Sequence, residues 1–133
     1  MAVLWMVFET VAVTRNAVEE SLEEHIEKLE NEKEVKILET EFDEITEMEE
    51  PHPGLEKGFS QVCEVRVELE SFAKSFELAT NYGPTYVQIE EPEKLEMSVR
   101  EGQEALQTVL DTVHQYAQSG AGGMLISRAA DDE

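Results

Sequence analysis

Three histidines (His25, His52 and His114) and one cysteine (Cys63) are the chain's only classical ligands for a transition metal. Zinc-type sites draw such ligands from close sequence pairs, because one helical turn or tight loop must bring two of them onto one ion. None of the four stands three or four positions from another, so no metal and no cofactor is expected. His25 and His114 lie beside apolar helix stripes and read as boundary residues. His52, rigidly held between Pro51 and Pro53, reads as a loop residue, with a ligand contact as its alternative. Cys63 falls on the apolar phase of a strand in an acidic neighbourhood, which opposes a reactive thiolate and favours a core role.

The acids Glu39, Glu41, Asp43, Glu44, Glu47, Glu49 and Glu50 crowd one strand and its exit. Alternate strand positions would align carboxylates for a hard cation, yet no Asp-x-Asp-x-Asp-Gly loop fixes a coordination geometry. Paired carboxylates for acid–base work need an apolar cleft to separate their pKa values, and none is legible. Solvated acids that discourage edge-to-edge pairing are the preferred reading. Gly120-Ala121-Gly122-Gly123 follows a helix with no strand before it, so it reads as a linker and not as a phosphate loop. The most distinctive stretch is Tyr82-Gly83-Pro84-Thr85-Tyr86 with Glu90-Glu91-Pro92. A ligand site here would comprise Tyr82, Gly83, Pro84, Tyr86 and Glu90, with His52. A helix stop followed by an edge strand explains the same residues without a ligand. No residue set reads as catalytic, and an enzyme is the less favoured class.

The formal charge is −21 over 133 residues, and 27 of the 31 acids are Glu. Such a surface repels phosphate backbones and anionic headgroups, which sets nucleic acids and membranes aside as partners. A solvated surface in a salt-rich cell, a basic protein partner and divalent-cation binding are the three readings left, in that order. One cysteine permits no internal disulfide and points to a reducing compartment. The apolar start, Met1 to Phe8, lacks a basic flank and is interrupted by Glu9, so it reads as neither signal peptide nor span. The expected location is the cytoplasm.

The elements that must carry these residues follow from periodicity. Val3 to Val13, apolar on both faces as far as Phe8, predicts a central strand. Asn16 with Glu19 forms a capping box, and Val18, Leu22, Ile26 and Leu29 make a helical core stripe ending at Asn31. Val35 to about Met48 predicts a second strand whose inward phase shifts after Ile37, the mark of a bulge or of a strand buried on both faces at its start. Pro51 to Gly54 is a loop, and Phe59 to Leu69 alternates as a half-buried strand. Ser71 is the expected cap of the next helix, with Phe72, Phe76 and Ala79 as its stripe. Thr85 to Glu91 is a short strand with Val87 and Ile89 inward, extended past Pro92 by Leu95 and Met97. Ser98 with Glu101 caps a last helix running to about Ser119, on which Gly102, Leu106, Val109, Val113 and Tyr116 form a narrow seam of the helix-pairing kind.

This order predicts an α+β fold: a ferredoxin-like βαββαβ sandwich with a four-stranded antiparallel sheet, two helices on one face and an additional C-terminal helix. Residues 1–119 form one domain and 120–133 a Gly-rich, acidic tail. If Leu4, Met6, Phe8, Leu38 and Phe42 lie on the helix-free face of the sheet, the last helix or a second subunit must cover them. Through Tyr82-Gly83-Pro84, Glu91-Pro92 and its Glu-heavy composition, the chain resembles small archaeal proteins of uncharacterised function with a ferredoxin-like core. The resemblance covers a short part of the chain and brings no activity with it. The expected function is a non-enzymatic interaction or regulatory module that forms a homo-oligomer through Leu106, Val109, Val113 and Tyr116. A small-ligand or divalent-cation site near Tyr82-Gly83-Pro84 is the alternative.

Overall fold

A computed structural model describes residues 1–49 and 57–118. Its elements are β1 (Ala2–Ala12), α1 (Arg15–Glu30), β2 (Val35–Phe42), β3 (Thr46–Glu49), β4 (Lys57–Leu69), α2 (Ala73–Tyr82), β5 (Tyr86–Glu91) and α3 (Val99–Gln118). It is an α+β protein with an antiparallel sheet. The strands run in the order β2-β4-β1-β5, and β3 pairs with the other end of β4. The single second strand expected from Val35 to Met48 is therefore two strands on one edge, separated at Asp43–Ile45. Of the two readings of the phase shift, the irregularity is the one present: the register shifts between Ile37 and Glu39, and Leu38 is 44% exposed. The register of β4 also answers the question of phase. Leu4, Met6 and Phe8 pair with Val67, Val65 and Cys63, and all six are buried.

That pairing corrects the expected placement of Leu4, Met6 and Phe8. They are buried in the core with Leu22, Ile26, Leu29 and Leu78 of the two helices, not on the helix-free face. Burial of each such side chain contributes roughly 1.5–3 kcal/mol. Val3, Trp5 and Val7 alternate with them and point to the opposite side of the sheet, each half-buried. Glu39, Glu41, Glu64, Arg66 and Glu68 share that side. That side is therefore mixed, an apolar strip on the central strand flanked by charged side chains.

Helix ends follow local chemistry. α1 starts two residues earlier than the Asn16 box. Thr14 has extended dihedrals (φ −126°, ψ 157°), and its hydroxyl accepts from the Ala17 amide at 3.1 Å. Asn31 ends it as expected. α2 has no side-chain cap. It is entered through the helical Phe72 by tight turns, Lys74 N to Ser71 O and Ser75 N to Phe72 O, so Ser71 contributes its carbonyl and not its hydroxyl. The buried residues of α2 are Lys74, Ser75 and Leu78, whereas Ala79 of the expected stripe is exposed. Gly83, in the left-handed conformation (φ 59°, ψ 50°), closes α2. The chain then docks on β1, with the Thr85 amide 2.8 Å from the Val7 carbonyl. β5 ends at Glu91, and Leu95 and Met97 do not extend it. α3 begins at the expected cap, the Glu101 amide donating to Ser98 Oγ at 3.1 Å.

Candidate functional site

The helix-free face of the sheet carries the first constellation. Trp5 sits at the middle of β1, directly opposite Arg66 on β4 and Gln88 on β5. Its ring meets Tyr86 edge-on, with centroids 5.5 Å apart. Arg66 is held from both sides: its guanidinium donates to Glu39 of β2 and, through Nε and Nη2, to both carboxylate oxygens of Glu90. The bidentate contact with Glu90 raises the Arg66 pKa and in turn holds the Glu90 carboxyl below its ordinary value. Trp5, Glu39, Glu41, Glu64 and Arg66 line an open depression of about 140 Å³. Within it, Glu41 and Glu64 are direct cross-strand partners. Like charges in that relation destabilise a sheet. Among the described residues no ion pair engages either carboxylate.

The second constellation lies on the helix side. The His25 ring is wedged edge-on between Phe8 and Tyr82, and its Nε2–H donates to the Tyr82 carbonyl at 2.7 Å. The Tyr82 hydroxyl donates to Glu32 at 2.7 Å, and Lys74 Nζ donates to the same carboxylate at 2.8 Å. The bond from Lys74, then the one from Tyr82, keeps the Glu32 carboxyl below its ordinary pKa. Burial first, and the bond to Glu32 second, pushes the Tyr82 phenol up to about 12. Burial works against the Lys74 ammonium, but its bonds to Glu32 and Glu77 outweigh it and the pKa rises. Phe8, Glu9, Thr10, Ser21, His25, Tyr82 and Gly83 line a cavity of about 150 Å³ beside this network. Cys63 is fully buried, and desolvation followed by the charge of Asp43 pushes its thiol up to about 11.

The third is a surface. α3 packs against α2. Ala105 and Ala117 are its buried residues, while Leu106, Val109, Leu110, Val113 and Tyr116 are 39–66% exposed. Val87 and Ile89 of β5 face the core side, opposite Met6 and Leu4, yet remain 37% and 42% exposed.

The residues expected around the Tyr82 turn are thus divided between two sides of the sheet. Tyr82 and Gly83 belong to the helix-side network, with Pro84 following the Gly83 cap. Tyr86 and Glu90 belong to the open face with Trp5 and Arg66. His52 lies outside the described residues, as do Gly120 to Gly123 and the tail. Among the described residues, no three His, Cys, Asp or Glu side chains gather in a way that holds a metal ion. No helix among them is long and apolar enough to cross a membrane. Sequence reading did not single out Trp5, Glu64, Arg66 or Lys74. Strand register, which no local pattern displays, is what brings the first three together.

A one-sheet α+β protein with an acid-rich open face and an exposed apolar helix is the class these features define. The chain belongs to the MJ0538 family, whose model matches residues 3–132. That name comes from a Methanocaldococcus gene, in keeping with the archaeal likeness. No curated protein and no solved structure matches the chain.

Proposed function

We propose that the protein is a cytoplasmic, non-enzymatic interaction module that self-associates through α3. The observation that carries this reading is the exposure of Leu106, Val109, Leu110 and Val113 along one side of a helix that packs against α2. A stripe at alternating spacings of three and four is the pattern by which two helices pair. Charge favours a second copy as the occupant. On a chain of −21, residues 102–118 carry just two acids, Glu104 and Asp111, and no Lys or Arg. Repulsion between copies is least there, and a twofold contact sets the same patch against itself. The order βαββαβ, with β2-β4-β1-β5 as strand order, supports reading the core as ferredoxin-like. The need to cover an apolar sheet face plays no part in the proposal, because Leu4, Met6 and Phe8 are buried beneath the helices.

Sedimentation equilibrium in 1 M salt, where the screening length is about 3 Å, tests the proposal. A dimer is expected for the natural chain and a monomer for Val109→Ser/Val113→Ser. Both positions are exposed in the single chain, so the variant keeps its fold. A natural chain that stays monomeric under these conditions refutes self-association.

A further inference from the structure

The helix-free face of the sheet points to a different partner. We infer that this face docks an extended, arginine- and lysine-rich segment of another protein, with Trp5 and the Glu41–Glu64 pair as the centre of the contact.

The argument is one of charge and shape. Val3, Trp5 and Val7 form a half-buried apolar floor along the central strand. Arg66 is already engaged by Glu39 and Glu90, so it neutralises neither Glu41 nor Glu64. Those two carboxylates are cross-strand partners, and among the described residues no basic side chain pairs with either, an arrangement that favours an incoming cation. The depression they share with Trp5 holds about 140 Å³. A guanidinium entering it meets an indole face for cation–π contact and two carboxylates for charge-assisted hydrogen bonds. Glu68, farther along β4 on the same side, continues the acidic track for the next basic side chain. Nucleic acid is repelled by this surface. The face is separate from α3, so the inference stands whether or not the chain self-associates.

The only tryptophan in the chain is Trp5, so its emission reports on this face alone. Titration with a short peptide of alternating arginine and glycine, at physiological salt, is expected to change that emission saturably. Glu41→Gln/Glu64→Gln removes a repulsive pair, so the variant folds at least as well as the natural chain. It is expected to bind the peptide roughly five- to tenfold more weakly. Glu20→Gln/Glu24→Gln, which removes the same charge from the exposed side of α1, is expected to change affinity less than about twofold. Equal weakening by the two variants would mean that net charge alone attracts the peptide, and would overturn the inference. So would an unchanged Trp5 emission at saturation, or spermine displacing the peptide as well as an unlabelled copy does at equal charge.

Discussion

Lys74 Nζ lies 2.8 Å from the carboxylate of Glu32, and the lysine side chain is only 6% exposed. The same ammonium reaches Glu77 one turn along α2, and the Tyr82 hydroxyl also donates to Glu32. One buried cation thus joins α2 to the segment that follows α1. Lys74→Ala would leave two carboxylates facing each other and remove the packing of the lysine stem. Glu32 and Glu77 are partly exposed, which limits the loss, so a cost of about 2 kcal/mol is expected in urea unfolding. Tyr82→Phe, which deletes the hydroxyl that donates to Glu32 and to the Lys28 carbonyl, is expected to cost about 1 kcal/mol.

The same pair sets an acid limb of stability. The Glu32 pKa is lowered from 4.5 in the folded chain, so its contribution is present above pH 4.5 and lost as pH falls through the folded value. Glu32→Gln carries no such titration. The stability difference between the natural chain and this variant should therefore be largest near pH 7 and close below pH 4.5. A gap that persists at lower pH would mean that Glu32 acts by packing and not by its charge.

Cys63 predicts the opposite limb. Its thiol is raised from 9.0 to about 11 by burial, so the unfolded chain ionises first as pH rises. Stability is intact below pH 9.0 and falls as pH climbs toward 11, by roughly 2–3 kcal/mol. Cys63→Ala removes this dependence while leaving a small cavity. Denaturant melts at a series of pH values should show the two curves converging between pH 9.0 and 11.

Much of the fold was legible because its signals are local. The stripe Val18, Leu22, Ile26, Leu29 needs only helical periodicity, and all four are buried. Ser98 with Glu101 and the Gly83 stop are likewise properties of a few adjacent residues. The bulge at Leu38 was visible as a change of phase. What failed was information held between strands. From Val3 to Phe8 every residue is apolar, so nothing within β1 says which alternate set faces the helices. The strict alternation of Val65 and Val67 with Glu64 and Arg66 across the ladder decides it. The open face was hidden for the same reason: Glu39, Glu41, Glu64, Arg66 and Glu90 come from three strands and meet only through register. Lys74 escaped notice because a lone lysine in a helix reads as solvent-facing until its two acids are placed around it.

Two glycines with open space around them are expected to respond in opposite directions. A Cβ added at Gly83 or at Gly102 meets nothing within 4 Å, so packing does not distinguish them. Backbone conformation does. Gly83 closes α2 at φ +59°, a region where an L side chain costs about 1 kcal/mol. Gly102 lies inside α3, where replacing glycine by alanine contributes about 0.5–1 kcal/mol through the entropy of the unfolded chain. Gly83→Ala should therefore melt lower than the natural chain and Gly102→Ala higher. Equal shifts in one direction would show that their surroundings, and not the left-handed turn, govern these positions.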